Sequence, residues 1–387
     1  MPGTHALLSP SAAHRWLHCT AAPRLEENQP DSGSDYAREG TLAHAYCARH
    51  LKQYLGLPTA GEDAEIDLLY DQYHTGEMDE HTDTYKTIVL ERFNAARAKT
   101  PDAQLLVEAR LDFSKWVPGG FGTGDAVIIT DGLLDIIDFK YGKGVRVDAL
   151  ENPQMRIYAL GAYEAYSFEY NIQRVRMTIV QPRLDNLSSD EMNVENLLAW
   201  ADKELTPKAQ EAFSGEGKQA PGEWCKFCRV KQSCKALAQS CIETAEKAQD
   251  PRLLTPEEIA ANVLPMLDTV DTWLKGVKEY TLAQALAGVA YPGYKLVAGR
   301  SNRVITDVEA ARKTLVDAGY DPAAIMKPQE MRGITDLEKL VGKKKLAALL
   351  EKYLEKPQGK PVLAPESDKR TAYNAAADDF AGIEIKE

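Results

Sequence analysis

Apolar residues along the chain change period at about residue 104. Upstream the spacing is helical. Residues 9–19 (Ser-Pro-Ser-Ala-Ala-His-Arg-Trp-Leu-His-Cys) open with N-cap chemistry and predict a short helix. A helix carrying Glu39, His44 and Cys47 follows the polar loop Asp31–Asp35, and residues 78–98 predict another. From Gln104 the pattern alternates, so Leu105–Asp112, Asp125–Thr130 and Leu133–Lys140 read as strands rich in Val, Ile and Leu. Asn152-Pro153 opens a helix to about Tyr166, and Arg174–Val180 reads as a further strand. A Gly- and Pro-containing loop, Ser214–Gly222, leads into a cysteine-rich segment.

After Asp250 the texture is helical. Thr255 and Glu258, Thr306 and Glu309, and Thr335 and Glu338 each form a possible capping box. The expected organisation is an N-terminal α/β domain over residues 1–245 and a mostly α-helical C-terminal region over 246–387, irregular from about Pro357.

The most informative local pattern is Asp125–Thr130, Asp131-Gly132, then Leu133–Lys140. An Asp-Gly pair between apolar runs favours a two-residue hairpin turn. If Thr130 faces Leu133, the same register sets Asp125 opposite Asp138, with Cβ atoms roughly 4.5–5.5 Å apart. Two carboxylates so placed repel unless something positive lies between them, and a divalent cation with oxygen ligands answers that need. Strand alternation puts Lys140 on the face of Asp138, where its ammonium can hold an attacking water or offset charge on a phosphate. Two acids and a lysine around a metal are the components of phosphodiester hydrolysis.

Composition refines the picture. The net charge of −12 argues against passive coating of nucleic acid and requires any DNA-handling groove to be locally basic. Charge is uneven: residues 61–83 hold nine acids and no Lys or Arg, while residues 295–360 carry 14 Lys/Arg against 9 Asp/Glu. Within the latter, Lys343-Lys344-Lys345 with Arg300 and Arg303 could contact phosphates. No apolar run is long enough for a membrane span and no signal peptide is visible, so a cytoplasmic location is expected. No Gly-x-x-x-x-Gly-Lys-Ser/Thr loop occurs, so an ATP-driven motor is not encoded.

Three of the six cysteines, Cys225, Cys228 and Cys234, fall within ten residues. A closed zinc site or an iron–sulfur cubane needs a fourth ligand, and Cys241 is near in sequence. Cys47 and Cys241 otherwise read as ordinary helix-face cysteines.

Taken together the motifs resemble the RecB-like branch of the PD-(D/E)XK nuclease superfamily. Gly122-Thr-Gly-Asp125 is similar to its Gly-x-x-Asp strand and Asp138-Phe-Lys140 to its D-x-K motif. Gln154-Met-Arg-Ile-Tyr158 is similar to its Q-x-x-x-Y helix, and Gly40–His44 to its upstream helix bearing a metal-binding histidine. The resemblance covers roughly residues 9–240. It implies a restriction-endonuclease-like core with a mixed central sheet flanked by helices. It implies His44, Asp125 and Asp138 as ligands for Mg²⁺ or Mn²⁺, Lys140 as the catalytic lysine, and Gln154 and Tyr158 as groups positioning substrate or Lys140. Glu108, with Arg110 and Asp112 on the same polar face of the preceding strand, could support the metal.

The segment Ser11–Cys19, with Trp16, resembles the N-terminal element of AddB-type and CRISPR-adaptation nucleases. That likeness implies Cys19 as the fourth ligand of a [4Fe–4S] cluster, with zinc the alternative. A further resemblance, to a phage and prophage protein family, implies DNA recombination, with a single-strand-binding or annealing protein as partner. A homo-oligomer would suit a processive exonuclease. The readings carried forward are a DNA exonuclease, a nicking or structure-specific endonuclease, a non-catalytic DNA-binding subunit, and a zinc-stabilised scaffold.

Overall fold

The computed structural model describes residues 6–29, 35–142, 144–246, 255–299, 303–327, 330–334, 337, 341, 343–355, 359–365 and 371. The chain divides into two compact units, residues 1–273 and 274–387. The division falls, in sequence, within the helix Leu264–Leu286.

Among the described residues up to 246 the α-helices are α1 (Ala13–His18), α2 (Ala22–Glu26), α3 (Asp35–Leu55), α4 (Ala60–Tyr73), α5 (Gly76–Arg97), α6 (Pro153–Tyr166), α7 (Val194–Trp200), α8 (Thr206–Ser214) and α9 (Lys235–Glu246). The strands are β1 (Gln104–Asp112), β2 (Phe121–Thr130), β3 (Leu133–Phe139), β4 (Arg174–Gln181) and β5 (Asn186–Asn193). They form one mixed sheet in the order β1-β2-β3-β4-β5. All neighbours are antiparallel except β3 and β4, which run parallel. A parallel pair needs a crossover, and α6 supplies it.

Both faces of the sheet are covered. Val127, Ile129, Leu134, Ile136, Met177 and Ile179 pack with Ile157 and Leu160 of α6. Ala126, Ile128, Ile137, Phe139 and Val180 pack on the other face with Leu42 and Leu51 of α3 and Tyr85, Val89 and Phe93 of α5. This is why β2 and β3 read as near-continuous apolar runs.

The hairpin has the expected register, from Thr130↔Leu133 to Ala126↔Ile137. Gly132 takes φ +82° in the turn, a conformation that favours glycine. Asp131 and Gly132 are each bonded to Asn171, which ties the turn to the chain entering β4. The next pair in this register is Asp125 and Asp138.

Several elements are not announced by the sequence pattern, among them α2, α7 and α8. Helix α4 lies in the acid-rich stretch, and β5 is a polar edge strand. The loop before α3, residues 31–34, lies outside the described residues. The Thr255–Glu258 capping box forms, with Thr255 N donating to Glu258 Oε2 at 2.9 Å and Glu258 N to Thr255 Oγ1 at 3.2 Å.

The second unit packs Ala311, Leu315, Ile325, Leu337, Val341, Leu346 and Leu350 into its own core. Alongside helices its described residues hold three short antiparallel pairings: Tyr294–Gly299 with Gly359–Pro365, Val304–Ile305 with Leu354–Glu355, and Met326–Lys327 with Glu330–Met331. The segment after Pro357 is therefore not irregular throughout. The expected cap at Thr306 is corrected: Asp307 caps Val308–Asp317, accepting from Ala310 N at 2.9 Å. Thr335 and Glu338, Arg300, and the side chains of Lys343 and Lys344 lie outside the described residues. Among the described residues no helix is long and apolar enough to cross a membrane.

Candidate functional site

The site forms where the β2–β3 ladder ends at Ala126↔Ile137 and the β1–β2 ladder is interrupted at Glu108. Asp125 and Asp138 lie one step beyond the last β2–β3 pair, on the sheet face that α6 covers. Asp125 Oδ2 accepts from Phe139 N at 2.7 Å, so the side chain replaces a ladder bond. Its other oxygen, Oδ1, lies 3.2 Å from His44 Nδ1 of α3, and the imidazole packs edge-on against Phe139. Asp138 meets a different set. Its Oδ1 accepts from Gln154 Nε2 at 3.3 Å, and its Oδ2 lies 3.0 Å from Lys140 Nζ. Lys140 also donates to Gln154 Oε1 at 3.1 Å, and Gln154 Nε2 reaches Tyr158 OH at 3.4 Å. Gln154 and Tyr158 are one helical turn apart on α6, which is why both face the acid pair. Gly122 lies beneath Tyr158: a Cβ there would come within 3.0 Å of the tyrosine ring and 3.1 Å of Pro10.

Glu108 completes the arrangement. In β1 the pairs Val107↔Ala126 and Ala109↔Gly124 leave Glu108 opposite Asp125 but outside the ladder. Its backbone takes φ 52°, the left-handed region that a glutamate adopts only under constraint. Donor atoms of His44, Glu108 and Asp125 all lie within 4.8 Å of one another. The sequence singled out Glu108 only as support. Its opposition to Asp125 is hidden because residues 113–120, not a tight turn, join β1 to β2 and leave their register unreadable. Arg110 and Asp112 do not join the site: Arg110 stacks on Phe121, and Asp112 accepts from Ser114 N.

The electrostatics follow from burial and from the neighbours. Burial opposes charge on His44, but Asp125, by charge and hydrogen bond, outweighs it and raises the imidazole to about 9. Burial also disfavours charge on Asp125, yet His44, the Phe139 amide and Lys140 draw it below the usual carboxylate range. Asp138 moves the other way, raised first by burial and then by Asp125 despite Lys140. Lys140 is raised because Asp138 and Asp125 outweigh its burial. Glu108 is pushed up to about 7 by burial and by Asp125. Two opposed carboxylates with oppositely shifted affinities for a proton are a familiar catalytic signature.

These residues fit a divalent cation. An imidazole and two carboxylates converge, and Asp138 Oδ2 is buried with no directed hydrogen bond although Lys140 lies beside it. Oxygen-rich donors with one imidazole suit Mg²⁺ or Mn²⁺.

A second centre gathers the cysteines. Cys19, Cys225, Cys228 and Cys234 line one small apolar pocket with Ala22, Pro221 and Leu237. All six cysteines are free thiols. The distant segments are brought together by Arg15, which donates to Glu26 Oε2 at 3.0 Å and to Phe227 O at 3.1 Å. Glu26 Oε1 in turn accepts from Arg229 N at 2.6 Å. Lys218 N donates to Thr20 Oγ1 at 2.9 Å, closing the chain beside Cys19.

Gly222 N and Gln219 Nε2 point at the sulfurs of Cys225 and Cys234 at 3.5 and 3.7 Å. Burial pushes the Cys225 thiol up and, with Glu26 close by, the Cys228 thiol up to about 12. Ionisation of this pocket therefore calls for a bound cation. Four thiols and two N–H donors fit either a [4Fe–4S] cluster or zinc. Cys47 is elsewhere, in the core beneath α3, and Cys241 packs beside Cys225 and Leu237.

Among solved structures, the chain is similar to SSO0001, at 13% identity over 56% of this chain and 95% of that one, with a TM-score of 0.22. It is also similar to a protein from Eubacterium rectale named "Putative exonuclease", at 11% identity over 66% of this chain and 93% of that one, with a TM-score of 0.34. A family described as "Protein of unknown function (DUF2800)" matches residues 5–371. With nearly the whole length matched, the chain belongs to the DUF2800 family.

Proposed function

We propose that the protein is a deoxyribonuclease of the RecB-like PD-(D/E)XK type, dependent on Mg²⁺ or Mn²⁺, and that it acts as an exonuclease. One observation carries this reading: His44, Glu108 and Asp125 bring their donor atoms within 4.8 Å of one another. Beside them, Lys140 is already bound to Asp138 and Gln154.

His44, Glu108, Asp125 and Asp138 would hold the metal, which when bound supplies Lewis-acid stabilisation of the phosphoryl oxygens and a more acidic water. The rest is done by this chain. Lys140 presents a fixed positive charge toward the phosphate and a donor for the attacking water. Gln154 keeps that ammonium from swinging into solvent, and Tyr158 backs Gln154. Asp138 and Tyr158 are buried, and the low local dielectric around them strengthens the interactions that Lys140 and Gln154 make there.

At the cysteine pocket we infer a [4Fe–4S] cluster that fastens the N-terminal element to the segment after the nuclease core. Zinc is the competing occupant, and metal analysis decides between them.

The test is incubation of the purified protein with linear and circular duplex DNA in Mg²⁺ or Mn²⁺. Loss of the linear form alone supports the exonuclease. Nicking of the circle would show an endonuclease, and binding without cleavage would show a non-catalytic subunit.

A further inference from the structure

Residues 141–152, which join Lys140 to helix α6, have no regular secondary structure among the described residues. Yet the backbone of five of them, Gly142, Val145, Val147, Ala149 and Glu151, is bonded by side chains of β4 and β5. The Gln181 amide, only 1% exposed, donates to Gly142 O at 2.7 Å and to Val145 O at 2.9 Å. Its Oε1 accepts from Val147 N at 3.1 Å and from Asn186 Nδ2 at 3.2 Å. Asn186, also buried, donates to Val147 O at 2.7 Å.

Alternate residues of β5 then continue the row. Ser188 Oγ accepts from Ala149 N at 3.0 Å, and Asp190 Oδ2 accepts from Glu151 N at 3.3 Å. Residues 147, 149 and 151 thus meet 186, 188 and 190 through side chains, in place of a backbone ladder.

The row ends where α6 begins. Asn152 caps that helix, accepting from Met155 N at 3.3 Å, and Gln154 sits in its first turn. At the other end Lys140 N donates to Val180 O at 2.9 Å, the residue before Gln181. A glutamine buried in a strand is costly unless its amide is satisfied, and here both amide hydrogens and the oxygen are used on the connector and on Asn186. An apolar residue would fill the same space at less cost, so the amide is there for the connector.

We propose that Gln181, assisted by Asn186, Ser188 and Asp190, is a positioning residue: it fixes the connector at Gly142, Val145, Val147, Ala149 and Glu151, so that Lys140 and Gln154 meet beside Asp138 before substrate arrives. The kinetic consequence rests on the nuclease reading; the ordering of Lys140 and Gln154 does not. Displacement of a catalytic group by about 1 Å can cost on the order of 10²-fold in rate.

The experiment compares wild type with Gln181→Met, which keeps volume and loses the amide, and with the double variant Ser188→Ala/Asp190→Ala at the less buried end of the row. Cleavage of linear duplex in Mn²⁺ should slow by about 10- to 100-fold in kcat. KM for DNA and the Mn²⁺ dissociation constant should stay near wild type, a split that general loosening of the fold would not give. A folded Gln181→Met protein with wild-type kcat would overturn the proposal, and if that variant fails to fold the double variant decides in the same way.

Should wild type itself not cleave, the nuclease reading fails and the positioning role is read by NMR of the metal-free protein. The Gln154 side-chain amide should be shifted and slow to exchange in wild type and should lose both properties in the variants. An unchanged Gln154 signal would overturn the proposal.

Discussion

Asp125 and Asp138 occupy opposed positions one step past the Ala126–Ile137 pair, but they are satisfied from opposite directions. Asp125 is bound by His44 and the Phe139 amide, whereas Asp138 is bound by Lys140 and Gln154. The pair is therefore not symmetric. Asp125 is held as an anion, whereas burial and the charge of Asp125 disfavour charge on Asp138.

Asp138→Asn tests that asymmetry. The variant keeps size and can still bond Gln154, but it removes a metal ligand. We expect Mn²⁺ to raise the Tm of wild type, by an amount equivalent to about 2.7 kcal/mol at 100 times its Kd. We expect it to leave the variant's Tm unchanged, with cleavage nearly abolished. In chelator the variant should be no less stable than wild type, because the buried like charges no longer face each other. A variant that binds Mn²⁺ as wild type does would remove Asp138 from the metal site.

Lys140→Ala should behave differently. Its ammonium touches Asp138 and Gln154 and none of the His44, Glu108 and Asp125 donors is bonded to it. Metal and DNA should still bind, while the chemical step slows by on the order of 10²-fold or more. Single-turnover kinetics beside Mn²⁺ titration separate the two effects.

Metal binding should release protons. His44 at about 9 and Glu108 at about 7 both carry a proton over part of the neutral range, and a cation must displace it. Mn²⁺ affinity should therefore rise with pH, through 7 as Glu108 ionises and on toward 9 as His44 loses its proton. The metal-free fold follows the opposite trend. The raised His44 contributes stability that is complete below its unfolded pKa and lost as pH rises through about 9. Calorimetry in two buffers of different ionisation enthalpy measures the protons released, and zero release at pH 7 would contradict this account.

Glu108→Gly addresses the strained position. Glycine accepts φ 52° without penalty, and the change also removes a carboxylate that burial disfavours. In chelator the variant should gain about 1 kcal/mol, or roughly 2–4 °C in Tm. Its Mn²⁺ affinity should fall. Loss of stability in chelator would show that Glu108 serves the fold and not the metal.

How far the sequence reveals this site depends on how local each relationship is. The Asp131-Gly132 turn fixes the hairpin register, so the opposition of Asp125 and Asp138 follows from spacing alone. The Gln154–Tyr158 turn and the strand alternation from Asp138 to Lys140 are equally local. Glu108 is not, because its register with Asp125 depends on a long connection. Helix α4 hides among acids that read as a solvated run, and β5 hides because its alternate residues bond the connector instead of filling a core. The caps in the second unit show the same limit: Asp307 competes with Thr306 one residue away, and only the backbone path selects it.

The cysteine centre yields the last prediction. Cys19 is 206 residues from Cys225 in the chain, so a group bound by both closes a long loop and its loss should loosen the N-terminal element. Anaerobically purified protein should be brown, and replacing Cys19, Cys225, Cys228 or Cys234 by Ser should bleach it and lower Tm. Cys47→Ser should leave the colour intact, because that thiol lies in the core beneath α3, in a separate cluster from Cys225. Cys241→Ser is the more discriminating control. Cys241 packs beside Cys225 but does not line the pocket that the other four share, so it should cost some packing and no cluster. Colourless protein with one equivalent of zinc would replace the iron–sulfur assignment while keeping the four ligands. Colour retained in Cys19→Ser but lost in Cys241→Ser would move the fourth ligand to Cys241, and the N-terminal element would then be held by its packing and by contacts such as those of Arg15, Glu26 and Thr20.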